Sequence, residues 1–259
     1  MGAVHKPPSV LLKELGITEP EDIDIEAIAQ YCDATIVYEP LQGSEARILG
    51  NNTRAIITVN SMSPQPRRRF SAGHELGHWM RDRGKIGFSC NEQTMIAEWS
   101  SANVEQGANE YAADLLMPKE MFENKSYARP ITFDTVRSLS SMFSTSLTAT
   151  AIRLVRYGSF PAILVYLEHG KRKWFIRGGA IPRVLWPFDK PRAATAAAEV
   201  LRGKCEEGPI QIQADGWIDH QRSEWYEVVE HSIRISSVGV LSLLWWRDER
   251  QVIDLTEDD

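Results

Sequence analysis

The chain has 259 residues, of which 43% are hydrophobic and 25% charged, and a formal net charge of −6. Such a chain is ordinary for one large or two modest globular domains and can bury a core without disulfide or metal staples. Its acidic balance argues against a general nucleic-acid binder, while leaving room for a local basic patch.

In chain order, EDIDIEAIAQYCDA reads as a short helix opened by acidic residues, with Ile25, Ile28 and Ala29 at helical spacing. TIVYEPL and RAIITVN read as strands separated by a turn-rich GSEARILGNN. The second strand, Ala55 to Asn60, could offer its edge to an extended peptide, with Thr58 in the pairing register. Ser63-Pro64 then opens a helix, serine as N-cap and proline at the first position, which should run to about Gly84. The stretch from Gly84 to Val104 is mixed and partly loop. VEQGANEYAADLLMP is a second helix closed by Pro118.

From Ile131 to Tyr157, two short helices flank a Ser/Thr-rich turn. After Gly158 the character changes: PAILVYLEH, KWFIRG, IQIQA, SEWYEVVEHSIRI and VGVLSLLWWRD are strand-like, with RAATAAAEVLRG as an intervening helix. A domain boundary is placed near Gly158. The tryptophans here form a core or line an apolar pocket, and His169, His220 and His231 are isolated from one another. The acidic end DLTEDD reads as frayed.

Cys32, Cys90 and Cys205 fit no paired metal-binding spacing and read as free thiols of a reducing compartment. The amino terminus lacks an apolar signal core and the longest apolar run near the carboxy end, VGVLSLLWW, is too short to span a bilayer. The expectation is a cytoplasmic protein without membrane contact.

The chemistry concentrates in HELGH. On a helix, His74 and His78 stack on one face, so two imidazoles can converge on one ion while Glu75 reaches water bound to it. Phe70, Gly73 and Gly77 give that helix an apolar, close-packing side. A catalytic zinc needs a third protein ligand and one open position. On VEQGANEYAADLLMP, advancing about 100° per residue, Val104, Ala108, Tyr111, Ala112, Leu115 and Leu116 share an apolar arc. Glu105 lies at its rim in line with Asn109, whereas Glu110 and Asp114 fall on the far side. A carboxylate at the edge of a buried face requires a partner: a metal ion, or one of Arg67 to Arg69. Asn109 could hydrogen-bond a ligating imidazole and fix its tautomer. Tyr111, Tyr127 and nearby arginines are candidate oxyanion stabilisers, each read first as structural, and Cys90 reads as an inert buried cysteine rather than a cap on the metal.

These segments resemble the ImmA/IrrE family of zinc metallo-endopeptidases. RRRFSAGHELGHW resembles the family's arginine-phenylalanine entry into HExxH, and VEQGANEYAADLLMP is similar to its glutamate-x-x-alanine-asparagine helix ending in Leu-Leu-Met-Pro. DIEAIAQYCDATIVYEPL and RAIITVN match its run-in. The likeness covers about Glu21 to Pro118 and, more loosely, the helices to Tyr157. It implies one zinc ion on His74, His78 and Glu105, with Glu75 as the catalytic carboxylate; manganese or iron would also suit such ligands.

The implied fold is α+β. A zincin-like HExxH metallopeptidase domain spans residues 1–128, a helix-turn-helix-like extension 129–158, and a smaller antiparallel α/β domain of regulatory, sensor or GAF-like type 159–259. The implied reaction is hydrolysis of a peptide bond in a protein substrate, an XRE-type helix-turn-helix repressor. The alternative is a non-proteolytic regulator that binds a repressor or DNA through the helical segment and uses zinc structurally. As a DNA reader that segment would need a basic, exposed recognition helix, and TATAIRLVRY supplies only Arg153 and Arg156, so direct DNA binding is not expected.

Overall fold

A computed structural model describes residues 6–51, 53–81, 88–90, 104–204 and 208–255. The class is α+β. Two compact units form, one from the residues up to Phe122 with Ser140–Ser146, the other from Glu123–Leu139 with Leu147 onward.

In the first unit, α1 (Pro8–Glu14) and α2 (Ile25–Tyr31) precede β1 (Ala34–Glu39), β2 (Ala46–Gly50) and β3 (Ala55–Asn60). Asp24 caps α2 by accepting from the Glu26 and Ala27 backbone N–H groups, each at 3.0 Å. The Ala27 bond foremost holds its carboxyl below the usual range. Ile25, Ile28 and Ala29 are buried on the core side, as their spacing predicts. The segment read as a turn between two strands is itself β2: Ala46 and Ile48 are buried while Arg47 and Leu49 face out. Its alternation is short and hidden between Gly43 and Gly50. Only Asn51 and its neighbours make the turn, the Asn51 carboxamide oxygen accepting from Thr53 and Arg54 N–H at 2.9 Å.

The sheet order is β1-β3-β2-β4, with β4 at Phe88–Cys90. β3 pairs in parallel with β1 and antiparallel with β2. The expected free edge at Ala55 to Asn60 is therefore wrong: β3 is an interior strand, both of its ladders are taken, and Thr58 is buried. A strand adds to a sheet only at an edge, and here β1 and β4 hold those positions.

Helix α3 (Gln65–Arg81) starts one residue later than the Ser63-Pro64 signal indicates. Ser63 Oγ donates to Glu45 Oε2 at 2.6 Å, and the Pro64 carbonyl accepts the first helical N–H, from Arg68, at 3.0 Å. Every residue from Ser71 to Met80 is buried. At its far end, Trp79 Nε1 donates to the Cys32 carbonyl at 2.7 Å and ties α3 to the end of α2. The expected stop near Gly84, the mixed stretch that follows β4 as far as residue 103, and Cys205 lie outside the described residues. So does the Cys90 side chain; Cys32 is buried. Helix α4 (Val104–Leu116) follows, and α5 (Lys119–Ser126) begins directly after Pro118.

Helix α6 (Phe133–Phe143), which runs from the second unit into Ser140–Ser146, and α7 (Leu147–Tyr157) of the second unit flank the turn at Ser144, whose φ is 51°. α7 packs on two strands of a five-stranded antiparallel sheet of order β6-β5-β9-β8-β7. These strands are β5 (Ala162–Glu168), β6 (Lys171–Arg177), β7 (Ile210–Gln213), β8 (Glu227–Arg234) and β9 (Gly239–Trp245). All five match the strand-like stretches of the sequence. Helix α8 (Ala196–Leu201) interrupts them, its N-terminus held by Thr195 and by the buried Glu230 carboxylate. Glu230 accepts from Ala196 N–H at 2.9 Å and Ala197 N–H at 2.7 Å. A last helix, α9 (Glu249–Asp254), takes in the first residue of the acidic end, and Leu255 after it is buried; residues 256–259 lie outside the described set.

The isolated histidines of this unit have local roles. His169 and Gly170, both with positive φ, form the β5–β6 hairpin turn. His231 Nδ1 accepts the Phe133 N–H at 3.1 Å and so caps α6. Trp217, Trp245 and Trp246 are core residues, whereas Trp186 and Trp225 are 48% and 67% exposed.

Candidate metal centre

Two helices build the site. α3 and α4 cross at small residues, because a side chain there would hold the backbones apart. A Cβ added at Gly77 would lie 3.0 Å from Tyr111 Cβ and 3.1 Å from both Cα and O of Ala108. One at Gly73 would meet Ala112 Cβ at 3.3 Å. Gly107 plays the reciprocal part and was not singled out in the sequence: the Arg81 guanidinium lies across it, where a Cβ would overlap Nη1 at 1.1 Å. The only sequence signal was a glycine inside an otherwise strong helix.

The close crossing closes a gap of 27 residues between His78 and Glu105. His74 Nε2 lies 3.2 Å from Glu105 Oε2, and His78 Nε2 lies 3.5 Å from Glu105 Oε1. The two Nε2 atoms are 3.0 Å apart, with their rings nearly perpendicular at 84°. Ligand atoms at 2.0–2.2 Å from one tetrahedral ion are about 3.3–3.6 Å from each other, so the three side chains stand close to the spacing one ion requires. Both imidazoles are buried and Glu105 is partly open, its side chain 20% exposed. Among the described residues this is the group of three whose donor atoms all lie within 4.8 Å of one another.

Asn109, one turn along α4 from Glu105, is buried, and its Oδ1 lies 2.9 Å from His74 Nδ1. An amide oxygen is an acceptor only, so Nδ1 carries the proton and the Nε2 lone pair is left for a cation. Asn109→Ala is expected to lower metal affinity about 10- to 100-fold with the fold retained. Competition against a chromophoric chelator reads this, and an unchanged affinity would reduce Asn109 to packing.

Glu75 is fully buried on α3, between the two histidines in sequence. Glu110 and Asp114 are exposed, as the helical arc predicts. Of the arginines considered as partners for Glu105, Arg69 Nη2 donates to the Ile23 carbonyl at 3.0 Å and Arg68 lies over the Tyr38 ring. Tyr111 packs into the helix crossing with its hydroxyl buried, which pushes its phenol above the usual range. Tyr127 is 78% exposed.

The family model for the IrrE N-terminal-like domain, Peptidase M78, matches residues 29–155. These residues are an IrrE N-terminal-like domain of the ImmA/IrrE family. The resemblance read from the HELGH and EQGANEYAADLLMP segments thus stands, and the IrrE-like domain contains every member of the cluster. Among curated proteins no relative matches. Among solved structures, a Mycobacterium tuberculosis transcriptional regulator is similar with a TM-score of 0.58 at 14% identity, over 97% of this chain and 77% of that one. At such identity the likeness is one of fold.

Among the described residues no helix is long and apolar enough to cross a membrane.

Proposed function

We propose that the IrrE-like domain is a zincin-like, zinc-dependent endopeptidase that cleaves a protein substrate, with an XRE-type helix-turn-helix repressor as the substrate class. The observation that carries this reading is the convergence of His74, His78 and Glu105 at ion-sized spacing beside the buried Glu75. A purely structural zinc is closed by four protein ligands and has no use for an adjacent general base.

His74, His78 and Glu105 would hold the ion, and Asn109 keeps His74 in the ligating tautomer. When bound, the ion supplies polarisation of the scissile carbonyl and a lowered pKa for the attacking water. Glu75 takes the proton of that water and returns it to the leaving amine. Burial of Glu75 and both imidazoles keeps bulk water from competing for these groups.

The helical pair α6–α7 is a packing element in this reading rather than a DNA reader. Of the two cations on α7, Arg153 is buried, its guanidinium 4.5 Å from the centre of the Tyr157 ring, and Arg156 is exposed. The antiparallel sheet of the second unit serves regulation, in the manner of a GAF-like sensor.

The test is to incubate the protein with the product of an adjacent repressor gene, with zinc or with a chelator. A discrete cut that the chelator abolishes is expected. An intact repressor bound by metal-loaded protein would favour the non-proteolytic regulator instead.

A further inference from the structure

Residues 171–192 invert the charge of the chain. They hold seven Lys or Arg against one acid, Asp189, in a protein whose formal net charge is −6. They also hold four aromatic residues, Trp174, Phe175, Trp186 and Phe188. The segment is β6, an edge strand of the second unit, and the excursion that follows it.

A β-bulge organises the cluster. Val165 pairs with Phe175 and Tyr166 with Trp174, but Leu167 pairs with Arg172, leaving Lys173 as the extra residue. Without the bulge, Arg172 and Phe175 would project from opposite faces; with it they share one. The Arg172 and Arg177 guanidiniums accordingly flank the Phe175 ring at 5.1 and 5.3 Å. Trp186 stands edge-on to Phe175 at 5.2 Å, with Arg177 over its face at 4.9 Å. The excursion is pinned here by hydrogen bonds from Arg172 N–H to the Asp189 carbonyl (2.7 Å) and from Arg177 Nη1 to the Arg183 carbonyl (2.6 Å). The result is a row of alternating cations and rings, with Trp186 half open to solvent.

Part of the charge is uncompensated. Arg172, Lys173 and Arg192 are paired with Asp189, Glu168 and Asp215. Lys171, Arg183 and Lys190 are exposed and make no ion pair among the described residues. Arg183 stands close enough to Arg177 for like-charge repulsion to add to burial in lowering the Arg177 guanidinium pKa.

We infer that this face of β6 and its excursion binds single-stranded nucleic acid, with phosphates on Arg183 and Lys190 and an unstacked base on Trp186. Cations interleaved with rigid, half-exposed rings suit a strand whose bases are free to stack. A duplex hides its bases, and an acidic peptide makes no use of the rings. The surface is independent of the metal centre, so its fate does not depend on whether the protein is a peptidase.

The experiment is fluorescence anisotropy of a labelled oligothymidylate of roughly 15 nucleotides, near the upper site size of one single-strand-binding module, with the full chain at several salt concentrations. Binding should weaken with salt. Arg183→Glu/Lys190→Glu should weaken it at least tenfold and reduce the log–log salt slope by about 1.4, two phosphate contacts at about 0.7 each. Trp186→Ala should cost about five- to 150-fold, the range for one stacked base, and Trp186→Phe, which keeps a ring, should recover most of that.

No binding near 50 mM salt, the low end of the range over which such contacts are usually compared, would overturn the inference. So would binding that none of these variants changes. If heparin competes equally and Trp186→Ala binds like the parent, the face is a plain polyanion surface and the inference fails. Binding to anionic vesicles without binding to the oligonucleotide would likewise sink it.

Discussion

The Glu75→Gln protein is expected to bind its metal ion with unchanged stoichiometry and to lose about 10²- to 10⁴-fold of its cleavage rate, the usual worth of a positioned acid–base group. Glutamine has the size and shape of glutamate, so packing around this fully buried side chain survives. What goes is the ability to accept a proton, and burial denies the site a bulk-water substitute. His78→Ala differs in kind: it removes one of three donors, so metal and cleavage fall together. Elemental analysis and a cleavage assay on both proteins separate the two roles. Full activity in the glutamine variant would take Glu75 out of the mechanism.

Gly77→Ala should be the most damaging change that touches no ionisable group. The new methyl would lie 3.1 Å from Cα and O of Ala108, backbone atoms that cannot swing aside, and 3.0 Å from Tyr111 Cβ. Alanine's better helix propensity gives back at most about 1 kcal/mol. Overpacking a tight contact costs typically about 1–3 kcal/mol, and it is relieved only by moving the helices apart. Glu105 and Asn109 sit on one helix and both histidines on the other, so separation opens the 3.2 and 3.5 Å spacings that an ion needs. Metal affinity should fall at least tenfold, a factor equivalent to about 1.4 kcal/mol. Gly73→Ala, whose nearest neighbour is the Ala112 methyl at 3.3 Å, should cost less. A chelator competition and a thermal melt test the pair; wild-type affinity in Gly77→Ala would show that the crossing does not set the site.

Local pattern was readable where it was long or strictly periodic. The five strands of the second unit alternate or run apolar over enough residues to be recognised, and the arc of α4 placed Glu105 on the correct rim. Several short elements escape such a reading. β2 has five residues between turn formers, and α1, α5 and α9 have six to eight each. At that length propensity competes poorly with packing. Net charge has a similar limit. A total of −6 describes the whole surface, and says nothing of the cationic row that one bulge assembles along β6.

By itself, then, the sequence determined the two imidazoles four residues apart and the carboxylate between them, since helical geometry carries those relations within a single turn. It also determined that Glu105 and Asn109 share one helical face. Only the tertiary structure decided that those faces meet, because a 27-residue gap is closed by interhelical packing at glycines and not by any local preference. The same holds for β3, which is flanked on one side by β2 across a short turn and on the other by a parallel pairing with β1, and so has no open edge.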